Sequence, residues 1–136
     1  MFDEMMDSIE ARPDNFGALR DANAYAKYKG TCGDTAEMWL RIDGGRIRKA
    51  TFMTDGCAPS VACCSAAAQL VEGMKPESAQ ELTQEQVLEV AGAIPPDHHH
   101  CALLAAITIQ SALLDWAIKP EKRSLKDRLK SKFKRR

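Results

Sequence analysis

The chain has 136 residues, 45% of them hydrophobic and 28% charged, which suits one globular domain with a real core and leaves too little for a second. Its cysteines number five, an odd count in which no pairing closes; this excludes a disulfide framework and leaves the thiols as ligands or nucleophiles. The N-terminal segment MFDEMMDSIEAR is acidic, with neither a basic start nor an apolar run, so it does not read as a secretion signal and a cytoplasmic location is expected.

A net charge of zero conceals two opposed segments. Residues 1–118 hold 9 Lys/Arg against 17 Asp/Glu, net −8, whereas residues 119–136 hold 10 against 2, net +8. In that tail Leu125, Leu129 and Phe133 recur every four residues between basic positions, the pattern of a basic amphipathic helix suited to an acidic partner, nucleic acid or an anionic surface. A solvated extension after Pro120 is the plainer alternative.

In chain order, the first twenty residues predict a short helix followed by a turn at PDNFG. Ala24 to Lys29 predicts a strand. Met38, Leu40 and Ile42 alternate with polar residues and lead into Asp43-Gly44-Gly45, so residues 36–53 read as a β-hairpin. Pro59 to Met74 is rich in Ala, Val, Leu and Cys and predicts a helix ending near Gly73, with Pro76 opening another short turn. Thr83-Gln84-Glu85-Gln86 is a capping-box sequence for a helix to about Ala91. Asp97 is placed to cap a last helix running to about Ile118. That apolar stretch is interrupted by Thr108, Gln110, Ser111 and Asp115, so it is expected to fall short of a membrane span and to be a buried helix. Strands first and helices after predict an α+β fold, a small three-stranded antiparallel sheet with helices packed on one face.

Candidate metal ligands sit in three short frames at element ends: Cys32 and Asp34 in TCGDT, Cys57 in TDGCAPS, and His100 with Cys101 in IPPDHHHC. A mixed set of thiolates with an oxygen or nitrogen donor suits iron with sulfide better than a closed structural zinc. Cys57 and Cys101 fall at predicted helix N-termini, where free amide donors favour the thiolate. No CxxC pair is present, so spacing alone leaves a metal site and three unrelated small buried residues equally open.

The ordered series ARPDNFG, TCGDT, a hairpin, TFMTDGCAPSVACCSAAAQLVEGM and PPDHHHCALLAAITIQSALLDW closely resembles the IscU/NifU-type iron–sulfur cluster scaffold family, from about Arg12 to Trp116. The resemblance implies a small antiparallel sheet with helices on one face and a cluster surrounded by Cys32, Asp34, Cys57, His100 and Cys101. It implies assembly rather than enzymatic turnover. A cysteine desulfurase hands sulfur to a scaffold thiol, iron is added, and a transient 2Fe-2S cluster forms and passes to apo-proteins. Three thiolates would bind iron firmly, while Asp34 or His100, a harder and weaker donor, would leave the cluster labile. Cys101 is expected to accept sulfur from the desulfurase, because nucleophilicity and access both favour it. Residues 1–118 would then be the scaffold domain and 119–136 a docking tail; a homodimer is a further assembly open to such a scaffold.

Relatives that engage a specialised Hsp70 chaperone carry LPPVK where this chain has Ile94-Pro95-Pro96-Asp97-His98, so no such chaperone is expected here. His98 and His99 extend His100 into a run that offers alternative nitrogen ligands for iron or adventitious zinc. Cys63 and Cys64 stand where relatives commonly have serines, and read as close-packing residues beside Ala62 and Ala66 to Ala68. Two rival readings use the same residues: a zinc-stabilised interaction or regulatory module, and a Cys-His hydrolase or acyltransferase, which would further need an orienting group and an oxyanion site.

Overall fold

The computed structural model describes residues 13–30 and 33–118. Three strands, β1 (Ala24–Lys29), β2 (Thr35–Asp43) and β3 (Arg46–Thr54), form one antiparallel sheet in the order β1-β2-β3. Helices α1 (Ala58–Val71), α2 (Pro76–Ala79), α3 (Gln84–Ala91) and α4 (His100–Ile118) follow, with a 3-10 turn at Pro96–His98 before the last. The expected α+β class and strand count are borne out. The short helix expected in the first twenty residues and the basic tail lie outside the described residues.

The period-two pattern decides which face is covered. Ala36, Met38, Leu40 and Ile42 of β2 are buried while Glu37, Trp39 and Arg41 between them stay half-exposed. Pairing sets large beside small: Met38 lies between Ala26 and Phe52, and Leu40 between Ala24 and Ala50. Over this face lie α1 and α4, whose buried positions are mostly Ala and Cys, and small side chains let the helices come close to each other and to the sheet. Phe52, Met38, Leu40, Ile47, Ile109 and Leu113 are fully or almost fully buried, each contributing about 1.5 to 3 kcal/mol. At the hairpin tip Gly44 and Gly45 have φ of 61° and 79°, the left-handed pair that a two-residue turn matched to strand twist demands.

Both ends of the ladder are completed by side chains or loops. The Asn23 side chain imitates a strand residue, donating to Ile42 O at 2.7 Å and accepting from Ile42 N at 2.8 Å. The outer edge of β3 is closed by three devices. Phe52 N donates to Asn15 O at 3.0 Å and Gly17 N to Phe52 O at 2.7 Å, so the PDNFG turn lies along the strand. Ala50 N donates to the Glu72 carboxylate at 3.0 Å. Ile47 exchanges bonds with Gly73 N and Met74 O at 2.7 and 2.9 Å. An open edge would invite pairing with another chain.

That last pairing corrects the expected end of α1. The helix was expected to end near Gly73 but stops at Val71, because Glu72 turns extended (ψ 128°) and Gly73 and Met74 are drawn onto β3. Asp97 is likewise not placed as expected: it lies inside the 3-10 turn, and α4 begins three residues later at His100. A third correction concerns the last helix. Pro96–Ile118 reaches a mean hydropathy of 1.7 and is long and apolar enough to cross a membrane by length and composition. Its apolar positions, including Ala102, Leu104, Ala105, Ile109 and Leu113, are buried against the sheet and α1, which makes it the central core helix of this domain.

The capping box at α3 forms as expected, with Thr83 Oγ1 accepting from Gln86 N at 3.2 Å and Gln86 Oε1 accepting from Thr83 N at 2.9 Å. Thr83→Ala is expected to lower stability by about 1 kcal/mol, a fall of a few degrees in Tm. Thermal unfolding followed by circular dichroism checks this; an unchanged Tm would mean that α3 is held by its packing alone.

Candidate functional site

Three chain segments meet where β2, α1 and α4 begin. Gly30 N donates to Asp34 O at 2.8 Å and Gly33 N to Gly30 O at 3.0 Å, closing a tight turn in which Gly33 has φ 96°. The turn delivers Asp34 to the head of β2. From β3 the chain passes through Asp55 and Gly56 to Cys57, the N-cap of α1, which makes no side-chain capping bond. Pro59 in the first turn of α1 sits where a missing N–H costs nothing. Cys101 is the second residue of α4.

A set of short bonds latches the first two segments together. Thr35 N donates to Asp55 Oδ1 at 2.8 Å, Thr54 Oγ1 donates to Thr35 O at 2.7 Å, and Gly56 N donates to Thr54 Oγ1 at 3.1 Å. Gly56 is required by space, since a Cβ there would run into the Ser60 side chain and come 2.8 Å from Asp34 Oδ2. Ser60, buried in the first turn of α1, joins the strand to the far helix: its Oγ donates to Asp34 Oδ2 at 3.1 Å and lies 3.2 Å from Cys101 Sγ. Nothing in the sequence reading singled out Ser60. The available signal was its position three residues after Cys57, which returns it to the same end of a helix that starts there.

The histidine run divides by direction. His99 Nε2 lies 3.0 Å from Ile94 O, and the His99 carbonyl accepts from Gln84 Nε2 at 2.8 Å, so this residue ties the turn to α3 and to its own base. His98 and His100 face the thiols instead. One donor atom each from His98, His100 and Cys101 falls within 4.8 Å of the others. His98 Nδ1 also lies 4.0 Å from Cys57 Sγ. Of the five expected ligands, Asp34, Cys57, His100 and Cys101 are thus in one neighbourhood; Cys32 lies outside the described residues.

Burial separates the thiols. Cys57 is exposed, whereas Cys63, Cys64 and Cys101 are buried. The access expected of Cys101 is therefore corrected: its thiol is buried in the first turn of α4, against Ser60. Burial pushes the Cys63 and Cys64 thiols up to about 12, with the neighbouring Cys101 adding to both and Asp34 to Cys64. Both remain protonated near neutral pH and act as small apolar fillers beneath the site.

Comparison with known proteins follows the same lines. A family model described as the NifU-like N terminal domain matches residues 2–123. An iron–sulfur cluster assembly scaffold protein IscU of Archaeoglobus fulgidus is 31% identical over 115 residues, 84% of this chain and 74% of that protein. The protein of the same name from Haemophilus influenzae is 31% identical over 122 residues, 86% of this chain and 95% of its own. The crystal structure of a nitrogen-fixing NifU-like protein (N-terminal) from Brucella abortus shares the fold with a TM-score of 0.60 at 19% identity, covering 85% of this chain and 99% of that one. By its sequence frames, its sheet-and-helix architecture and this match over nearly its whole length, the chain belongs to the NifU-like N-terminal domain family, that of the IscU/NifU-type scaffolds.

Proposed function

We propose that this chain is a scaffold on which an iron–sulfur cluster is assembled and from which it is passed to apo-proteins. The observation that carries the reading is convergence: Asp34, Cys57, His100 and Cys101 come from three motifs far apart in sequence and meet around Ser60 and the 3-10 turn. Two thiols, a carboxylate and an imidazole fit iron in the presence of sulfide, and Cys32, two residues before Asp34, completes the thiol set. The cluster is cargo here, a 2Fe-2S unit held only until transfer, and zinc is the ion such a set takes when no cluster is present.

Sulfur arrives on a cysteine desulfurase as a persulfide. The Cys101 thiolate attacks its outer sulfur, a new S–S bond forms at Cys101, and the desulfurase leaves as a thiolate. Reduction of that sulfur to sulfide takes two electrons from an external reductant. Because Cys101 is buried in contact with Ser60, delivery requires the Pro96–His98 turn to lift, and docking of the desulfurase supplies the occasion. Asp34 is the weak ligand: its carboxylate is shared with Ser60, and a hard donor in a soft set lets the cluster leave. The basic segment 119–136 lies beyond all the site motifs, and its role is docking to an acidic partner or surface.

Cys32→Ala, Cys57→Ala and Cys101→Ala should each fold yet stay colourless after anaerobic reconstitution with iron, cysteine and a desulfurase; a wild-type visible spectrum from any one would remove that residue from the ligand set. Asp34→Ala should hold its cluster longer in air and pass it more slowly to an apo-ferredoxin, and equal transfer rates would show that the carboxylate does not set lability. Truncation after Ile118 should leave reconstitution yield intact while weakening salt-sensitive binding to the desulfurase. A truncated chain that builds no cluster would place the tail in the site.

A further inference from the structure

Two of the candidate ligands meet one hydroxyl. Ser60 is fully buried in the first turn of α1, and its Oγ lies 3.1 Å from Asp34 Oδ2 and 3.2 Å from Cys101 Sγ. A serine hydroxyl carries one proton, whereas an ionised carboxylate and a thiolate can only accept. When both residues act as ligands, that proton therefore serves one of them at a time. The carboxylate oxygen is the stronger acceptor and sulfur the weaker. The contact is also closely confined. Thr35 N ties the head of β2 to Asp55 Oδ1 at 2.8 Å. A Cβ at Gly56 would run into the Ser60 side chain and come 2.8 Å from Asp34 Oδ2, so the approach exists because residue 56 has no side chain.

We infer that Ser60 is a positioning residue for cluster release: its hydroxyl holds Asp34 Oδ2, leaves Oδ1 as the oxygen offered to iron, and by serving Asp34 withholds its proton from Cys101. A carboxylate that binds through one oxygen, with charge drawn off the other by a hydroxyl, is a weaker ligand than one able to use both. The Cys101 thiolate, not receiving this proton, gives more of its charge to iron. One buried hydroxyl that does not itself touch the cluster thus sets the contrast between a firm sulfur and a yielding oxygen. Groups that hydrogen-bond a metal's ligands tune the metal in this way.

The inference rests on the scaffold reading and deepens it. That reading makes Asp34 the weak ligand, and Ser60 supplies the cause of its weakness. Nothing beyond the two contacts and the single proton is required.

The test is a cycle of Ser60→Ala and Asp34→Ala in the anaerobically reconstituted full chain, followed by transfer of the 2Fe-2S cluster to an apo-ferredoxin. Ser60→Ala should slow transfer about tenfold, the lower end of what loss of an outer partner does at a metal site. In an Asp34→Ala background the same substitution should change the rate by less than about twofold, the scatter expected of uncoupled positions. A merely structural hydroxyl would alter both backgrounds alike. Reduction potential supplies a reading independent of transfer. With Asp34 replaced, the hydroxyl turns to Cys101 Sγ, and a hydrogen bond to ligand sulfur favours the more negative, reduced cluster. Adding Ser60→Ala to Asp34→Ala should therefore move the potential to a more negative value. Wild-type transfer by Ser60→Ala, equal slowing in both backgrounds, or an unmoved potential in the double variant would overturn the assignment. Should Ser60→Ala lose its helical circular dichroism, Ser60→Cys, close in size and a weak donor, gives the same reading. A wild-type chain that acquires no sulfide sinks the scaffold reading and this inference together; a chain that builds its cluster and passes it at one rate with or without the Ser60 hydroxyl sinks this inference alone.

Discussion

Everything at the functional end of this domain depends on Ser60 reaching two partners at once, Asp34 Oδ2 at 3.1 Å and Cys101 Sγ at 3.2 Å. One hydroxyl thereby fixes the start of β2, the first turn of α1 and the first turn of α4 in mutual register. Buried polar contacts of this kind hold only when each member is satisfied, because in a low-dielectric setting an orphaned group costs more than the contact gains. The surrounding design follows from that constraint. Gly56 must lack a side chain to let Ser60 and Asp34 approach, and the Thr35, Thr54 and Asp55 bonds keep the chain before Cys57 pressed against the head of β2. The sheet is the base on which this end is built, and the outer edge of β3 is closed along its length by Asn15, Gly17, Glu72, Gly73 and Met74.

Much of the fold is legible in the sequence because its signals are local and strong. The alternation through Met38, Leu40 and Ile42, the glycine pair at 44–45 and the capping box at Thr83 each specify their element without help from the rest of the chain, and each is found in place. Misplaced boundaries mark where tertiary pairing overrides local preference. Val71 to Met74 could continue a helix, yet Glu72, Gly73 and Met74 bond to Ala50 and Ile47 instead. Asp97 resembles a cap, but two prolines before it favour a 3-10 turn that consumes it.

The candidate site was visible in the sequence as residue types and not as an arrangement. Cys57, Asp34, His100 and Cys101 announce themselves through short frames, whereas Ser60 is an ordinary helix residue until its two contacts are seen. Burial of Cys101 was equally hidden. A cysteine at a helix start suggests an open thiol, but α4 is the central core helix, and Cys101 in its first turn is buried against Ser60. The sequence put His100 forward as a ligand and left His98 and His99 as undivided alternatives. The division of the run into one structural ring and two facing the thiols is a consequence of where Ile94 O and Gln84 happen to lie.

Burial also sorts the four described thiols. Cys63 and Cys64 fill space below the site and stay protonated, leaving the donors at the element ends to do the chemistry. On the proposed scaffold reading the site has to hold its cargo and release it, and thiolates beside a carboxylate already hydrogen-bonded to Ser60 suit both needs. The direct measurement is anaerobic assembly on the wild-type chain with iron(II), cysteine and a desulfurase, followed by mixing with an apo-ferredoxin. The account predicts a 2Fe-2S visible spectrum with equal iron and sulfide that moves to the ferredoxin and leaves the scaffold colourless; a chain that acquires no sulfide, or keeps its cluster indefinitely in the presence of the acceptor, would contradict it.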